Sequence, residues 1–121
     1  MPIDCLLTRH LSQKITTQYP GSGATVSLFS HSWVQSSIVA KFPGKTSGAV
    51  TILGAHMDSI NGANPTSGRA PGADDDGSGS TNLIEAFRVL VSSGFKPSTP
   101  VEFHWYAILS AINICPSDSS F

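Results

Sequence analysis

The sequence predicts an α/β fold, a partial mixed β-sheet with flanking helices, from three segments. A run of β-branched and leucine residues, AVTILG at 49–54, has the pattern of a buried strand. Apolar residues then recur at helical spacing from 80 to 93, and VEFHWYAIL at 101–109 alternates between two faces as a strand does. A strand, a helix and a strand in this order predict a right-handed crossover between two parallel strands.

Earlier elements are predicted from the same patterns. Residues 3–19 carry an apolar stripe, with Asp4 placed to cap a helix and Pro20-Gly21 to end it. ATVSLFS at 24–30 and QSSIVAKF at 35–42 are rich in β-branched residues and predict two strands. Together with the run at 49–54 they suggest an antiparallel start to the sheet.

The helix of the crossover has clear boundaries. Asp76 or Ser78 is placed to cap its start, and Gly94 to end it. Its inward face is expected to consist of Leu83, Ala86, Phe87, Leu90 and Val91. We assign residues 1–109 to one domain. Residues 110–121 are Ser-rich and show no continuing period, so we expect a disordered tail.

Composition excludes several classes of partner. The 121 residues carry a net charge of −1, which gives no electrostatic signal for nucleic acid or a membrane surface. The apolar runs are too short to span a bilayer, and the amino terminus lacks the features of a signal peptide. Cys5 and Cys115 have no metal-ligand spacing, so we interpret them as two separate thiols, with one disulfide as the alternative.

Chemistry is expected in the Gly/Pro/Ser-rich loop between the strand at 49–54 and the helix, because open α/β sheets bind ligands at the carboxyl ends of their strands. His56 and Asp58 flank Met57 and project to the same side of an extended segment. In such an arrangement a carboxylate can orient an imidazole that binds a metal ion.

Three consecutive carboxylates close the same loop. Asp74, Asp75 and Asp76 repel one another unless a cation or a helix amino terminus offsets their charge. A metal site is one interpretation. The alternative is a solvated turn in which Asp76 caps the helix and the other two face water.

A calcium-binding loop is the competing metal site. Counted from Asp74, acidic residues stand at positions one and three, with Ser78 at five, Gly79 at six and Glu85 at twelve, close to an EF-hand. An EF-hand needs an entering helix, whereas the preceding NPTSGRAPGA is full of helix breakers. We therefore favour the metal site of the previous paragraphs over a calcium-binding loop.

Taken together, GAHMDS, APGADDDGSG, the leucine-rich helix and VEFHWYA resemble the co-catalytic di-zinc aminopeptidases, secreted leucine-aminopeptidase-like peptide hydrolases of fungi and bacteria. FSHSWVQSSIVAKFPG is similar to the segment that precedes the loop in that family. The resemblance covers roughly residues 26–107. It implies a truncated zinc-exopeptidase-like sandwich, a peptide substrate, two zinc ions per site and secretion.

The resemblance also implies roles for four residues. His56 matches the histidine that binds one zinc ion, and Asp75 matches the carboxylate that bridges both. Asp58 matches the carboxylate that orients the histidine, and Asp76 the residue that follows the bridging ligand across a cis peptide. In the family the two zinc ions polarise the scissile carbonyl and activate a shared water, while a glutamate takes up its proton.

The chain departs from the family after VEFHWYA. There the family has a Glu-Glu pair, the general base and a zinc ligand, followed later by an aspartate and a histidine, whereas this chain has Ile108-Leu109-Ser110. Glu85, Glu102 and His104 are the nearby substitutes, but none lies at a family position and we expect exposed strand or helix residues. His56 and Asp75 alone fall short of the ligands that zinc takes, so we expect at most partial occupancy by zinc in this chain.

Two hypotheses follow. The first is a di-zinc aminopeptidase homologue with an incomplete sequence, inactive alone, in which residues 110–121 are foreign to the family. The second is a non-catalytic protein, a degenerate half-fold that binds a peptide or a weak metal, or a chain that does not fold. In either case the last strand should lie at an exposed sheet edge and apolar helix faces should be uncovered, so we expect poor solubility.

Overall fold

The computed structural model describes residues 9–11, 13, 17–33, 35–65 and 67–107. Their continuous elements, apart from helical residues near the amino terminus, are four strands, one long helix and an irregular helical turn at Ala73–Ser78 that precedes the helix. In chain order these are β1 (Thr25–Phe29), β2 (Ser37–Phe42), β3 (Thr51–His56), α1 (Gly79–Ser92) and β4 (Val101–Tyr106). No helix among the described residues has the length and apolar character that crossing a membrane requires.

The strands form one mixed sheet in the order β1-β2-β4-β3. β3 and β4 are parallel, while β2 is antiparallel to both β1 and β4. The predicted α/β class and the parallel pair joined by the helix are therefore confirmed. The predicted antiparallel start is limited to β1 and β2, because β4 inserts between β2 and β3. The edge predicted at the last strand is wrong for the same reason: β4 is interior, and β3 forms that edge of the described sheet.

Local interactions set the ends of β3 and α1. β3 continues through His56, two residues beyond the predicted end, because His56 still pairs with Tyr106. The helix ends at Gly94, whose φ of 70° is readily adopted only by glycine. The Gly94 amide donates to the Val91 carbonyl at 3.2 Å and the Phe95 amide to that of Leu90 at 3.1 Å, which is the Schellman pattern.

The core lies between α1 and one face of the sheet. Five sheet side chains are completely buried: Ile38, Ala40, Phe42, Phe103 and Trp105. The predicted inward face of α1 is confirmed, since Leu83, Phe87 and Val91 are buried and Ala86 and Leu90 pack against them in part. Each large side chain removed from water in this way stabilises the fold by about 1.5–3 kcal/mol.

The amino-terminal helix predicted at 3–19 is described only in part. Residues 9–11, 13, 17 and 18 are helical, and Leu11 is buried in the core. Asp4, Cys5, Cys115 and the tail at 110–121 lie outside the described residues, so the predictions made for them are untested.

Candidate metal centre

His56 is the last residue of β3 and is fixed through its inner ring nitrogen. Nδ1 lies 2.9 Å from the main-chain carbonyl oxygen of Asp58, whereas the Asp58 carboxylate oxygen is 3.9 Å away. The orienting contact is therefore made by the carbonyl, with Nδ1–H as donor. Because this hydrogen bond fixes the ring, Nε2 is the nitrogen left to face a ligand.

Asp75 meets that outer nitrogen. Its Oδ1 lies 2.8 Å from His56 Nε2, although the two residues belong to opposite ends of the loop. The Asp75 side chain is 92% exposed, whereas that of His56 is only 23% exposed. The pKa of His56 is raised, first by the hydrogen bond to the Asp58 carbonyl and further by the hydrogen bond and charge of Asp75, against the lowering effect of burial.

Asp76 ties the start of α1 to the end of β3. Its Oδ1 accepts from the Gly79 amide at 3.0 Å, and its Oδ2 accepts from the His56 amide at 3.3 Å. Asp76 is thus the predicted cap, while Ser78 makes no side-chain capping bond. The bond between Asp75 and Asp76 is a cis peptide, as the resemblance implied. Asp74, the first aspartate of the triplet, is exposed at the surface of the turn, as Asp75 is.

Sequence reasoning missed two residues that hold His56 in place. Ser80 Oγ donates to the His56 carbonyl at 3.0 Å, and Trp105 Nε1 donates to the Ser80 carbonyl at 3.2 Å. A serine in the first turn of a helix is ordinary. Neither residue therefore carries a local signal, and only the packing of α1 against β3 and β4 reveals the connection.

A groove opens beside Asp75. The loop on its far side is closed by Asn61, whose Oδ1 accepts from the amides of Ala63 and Asn64 and whose Nδ2 donates to the Arg69 carbonyl at 3.2 Å. The groove has a volume of about 430 Å³ and is open to solvent, and Ser59, Asn61, Arg69, Asp74 and Asp75 are among its lining. An extended ligand could therefore reach Asp75 without any rearrangement of the core.

Two of the substitute ligands are engaged elsewhere. On the sheet face opposite α1, Glu102 lies 2.8 Å from His104 Nε2 and 3.1 Å from Lys41 Nζ. The expectation of exposed side chains is wrong for Glu102 and His104, each only 17% exposed, because strand register sets Lys41 opposite Glu102. The hydrogen bonds from His104 and then Lys41 lower the pKa of Glu102.

Glu85 is exposed as expected and forms an ion pair with Arg88 on α1. The EF-hand alternative gains nothing from the fold, since residues 67–72 form no helix and α1 already begins at the sixth loop position. Within the described ranges, no three His, Cys, Asp or Glu side chains are grouped so that they could hold a metal ion.

His56 and Asp75 nevertheless suit zinc as a pair of ligands. Zinc–ligand distances of about 2.0–2.1 Å in a tetrahedral site set neighbouring donor atoms roughly 3.3 Å apart. Nε2 and Oδ1, now 2.8 Å apart, would need to open by only a fraction of an ångström. The pair fits one edge of a tetrahedron, and the described residues provide no third ligand.

Comparison with known proteins identifies the family of this chain. Residues 37–108 match Peptidase family M28. Leucine aminopeptidase 1 of Aspergillus oryzae is 53% identical over 90 residues, covering 70% of this chain and 23% of that protein. Leucine aminopeptidase 1 of Arthroderma otae is 49% identical over 89 residues, which cover 70% of this chain and 24% of that protein.

A solved structure gives the same result. The crystal structure of the Legionella pneumophila LapA aminopeptidase superposes with a TM-score of 0.70 at 30% identity, covering 86% of this chain and 27% of that one. The chain thus spans about a quarter of the length of the curated relatives it matches.

Proposed function

Because the chain belongs to peptidase family M28, a family of peptide hydrolases, we propose that it carries half of the zinc centre of an aminopeptidase. His56 and Asp75 are the zinc ligands in this proposal. The observation that carries it is the 2.8 Å approach of His56 Nε2 to Asp75 Oδ1 at the carboxyl end of β3. This is the end at which open α/β sheets place their ligands.

The supporting residues have distinct tasks. The Asp58 carbonyl holds His56 Nδ1, so that the imidazole presents Nε2, and the Asp76 carboxylate fixes the turn that carries Asp75. The exposed Asp75 carboxylate has a second oxygen available for a second ion. When bound, the two zinc ions of such a centre polarise the scissile carbonyl and lower the pKa of a shared water. The groove beside Asp75 offers a path for the peptide substrate.

We expect the 121-residue polypeptide by itself to bind zinc without hydrolysing peptides. A general base is needed to take the proton from the attacking water. Glu102, on the strand adjacent to β3, is held by His104 and Lys41 instead. This pairing favours the second candidate function, a non-catalytic metal-binding protein, for the polypeptide in isolation. Secretion, which the resemblance implies, stays a prediction.

Calorimetric titration with zinc tests the ligand assignment. Asp75→Asn removes the charge from an exposed side chain, so the fold should persist while zinc affinity falls by at least about tenfold. Asp74→Asn is the matched control and should bind zinc as the unchanged chain does. Equal affinity of the Asp75→Asn variant and the unchanged chain would overturn the assignment.

Activity is measured separately with a chromogenic aminoacyl substrate in the presence of zinc. We expect no turnover above that of zinc alone. Turnover that depends on zinc and disappears in the Asp75→Asn variant would show that the polypeptide is a complete enzyme and would contradict the expected inactivity.

A further inference from the structure

We propose that Trp33, in the connection between β1 and β2, and Ser37, the first residue of β2, are positioning residues for His56. They act through the last peptide group of β4, which lies between them and the segment that follows His56. The inference rests on the proposed function, because it takes His56 as the ligand that must be held in place. It goes further in assigning this task to side chains on the other side of β4.

Ala107, the residue after β4, is held at both of its main-chain polar groups. Its amide donates to Ser37 Oγ at 3.0 Å, and its carbonyl accepts from Trp33 Nε1 at 2.9 Å. Ala107 is 1% exposed and Ser37 is 6% exposed, so water does not reach these groups to replace a lost partner. Two side chains thus take over from the strand ladder at the point where it ends.

His31 supports both of these side chains. Its ring stacks on that of Trp33, with centroids 4.2 Å apart and planes inclined by 6°, and its Nε2 lies 2.7 Å from Ser37 Oγ. We call His31, Trp33 and Ser37 the β4 clamp. Linked hydrogen bonds of this kind strengthen one another, so the three side chains hold Ala107 as one unit.

One peptide group carries this hold across β4. The carbonyl of Tyr106 and the amide of Ala107 belong to the same planar group and point to opposite sides of the strand. On one side the amide donates to Ser37, and on the other the carbonyl accepts from the Met57 amide at 2.9 Å. Because the group is rigid, a rotation that breaks one of these hydrogen bonds also disturbs the other.

The Met57 amide anchors the segment that presents the ring of His56. Met57 lies between His56 and Asp58, whose carbonyl oxygen is 2.9 Å from His56 Nδ1. When Met57 separates from the end of β4, the imidazole and the carbonyl that orients it lose their common anchor. The β4 clamp therefore keeps Nε2 of His56 directed at Asp75.

Amide hydrogen exchange, measured by NMR in EDTA, tests this coupling without any metal. Ser37→Ala removes the acceptor of the Ala107 amide, so the Met57 amide should exchange about tenfold faster relative to that of Phe103, a buried residue of β4. Trp33→Phe keeps a ring against His31 but removes the indole N–H, and should give a smaller change in the same direction. Ser37→Thr retains the hydroxyl and should exchange as the unchanged chain does.

Thr46→Val is the matched control. Thr46 Oγ1 donates to the main-chain carbonyl of Ser98 at 3.1 Å, a hydrogen bond between distant segments that lies before the start of β4. Its loss should leave the exchange of Met57 relative to Phe103 unchanged. Equal acceleration of both amides in Ser37→Ala would show a loss of general stability and overturn the proposal. An unchanged Met57 rate in both clamp variants would overturn it as well.

Zinc titration of the same variants connects the coupling to the proposed function. Every chain carries Cys5→Ser and Cys115→Ser, because free thiols also bind zinc. The zinc affinity of Ser37→Ala should fall by about three- to tenfold and be recovered in Ser37→Thr. Faster exchange with unchanged affinity would overturn the positioning role and leave the proposed ligands standing. If the unchanged chain binds no zinc, the ligand assignment is wrong, and the relative exchange rate of Met57 alone decides whether the clamp holds this segment.

Discussion

The core beneath α1 and the loop after β3 are held by different forces, although both contact the same helix. In the core, Phe103 and Trp105 are completely buried and contact each other and Phe87 of α1. In the loop, the Asp75 side chain is 92% exposed, and its contact with His56 is a polar one, at 2.8 Å. Apolar burial is non-directional and strong, whereas each hydrogen bond contributes only about 0.5–1.5 kcal/mol.

This difference separates stability from metal chemistry. Core substitutions should unfold the chain, and loop substitutions should change zinc binding in a folded chain. The two regions meet at the start of α1, where Asp76 and Ser80 bind the main chain of His56. Substitutions there should affect both properties.

The largest effect is expected in the core. Phe103→Ala removes a ring that packs against Phe42, Phe87 and Trp105, and leaves a cavity. The free energy of unfolding should fall by about 3–5 kcal/mol, a large part of the total for a chain of this size. Urea unfolding followed by circular dichroism measures it.

Phe29→Ala provides the control, because Phe29 is 59% exposed on β1 and lies outside the core. Its unfolding free energy should change by no more than about 0.5 kcal/mol. Similar losses for Phe29→Ala and Phe103→Ala would show that the buried aromatic side chains do not dominate stability.

The next largest effect is expected where the two regions meet. Asp76→Ala removes the cap of α1 and the acceptor for the His56 amide, so stability should fall by about 1–2 kcal/mol. Zinc affinity should fall as well, since the turn that carries Asp75 loses its anchor. Asp74→Ala, in the same turn, should leave stability and zinc affinity nearly unchanged. An Asp76→Ala variant that binds zinc as tightly as the unchanged chain would show that the turn holds its shape without the cap.

Sequence reasoning predicted the elements whose patterns are local. The 3.6-residue period of α1, its Gly94 end and the strand β3 depend on neighbours along the chain and were confirmed. The burial predicted for β3 is wrong: Ile52 and Leu53 are exposed, because β3 is an edge strand of the described sheet. The position of β4 inside the sheet was not predicted. Strand order depends on which edges meet after the crossover, and alternation within VEFHWYAIL carries no information on that.

The candidate site was also predictable only in part. The family resemblance implied both His56 and Asp75 as metal ligands, and the structure brings the two side chains together. The Asp58 main-chain carbonyl was not predicted as the partner of His56. The spacing of a motif indicates which residues lie together, but not which atom of a residue makes the contact. The partial burial of Glu102 was missed because its partner Lys41 lies 61 positions earlier and is found only through the β2–β4 register.

A smaller effect is expected on the sheet face opposite the core. The lowered pKa of Glu102 means that its pairing stabilises the fold above the carboxyl pKa of the unfolded chain, about 4.3, and that this stability is lost as pH falls through the lower folded value. Glu102→Gln should therefore cost about 0.5–1 kcal/mol at pH 7. The difference from the unchanged chain should vanish well below pH 4.

Urea unfolding at a series of pH values checks this, with Glu85→Gln as the control. Glu85 pairs with Arg88 on the exposed face of α1, so its loss should be smaller and should shrink further in high salt. A cost for Glu102→Gln that is the same at pH 7 and at pH 3.5 would show that side-chain packing, and not charge, stabilises this face.

The smallest effect on stability, and a large one on solubility, is expected at the β3 edge. No described strand pairs with the outer side of β3, and its Ile52 is 52% exposed. Unpaired apolar edges associate with one another, and lysine on an edge prevents this. Ile52→Lys places a cation beside Glu102, its register neighbour, and should change stability by no more than about 0.5 kcal/mol while raising the soluble fraction measured in EDTA. Val89→Lys also replaces an exposed apolar side chain, but on α1, and should raise solubility less. Equal gains from the two variants would assign the association to general surface hydrophobicity and not to the edge.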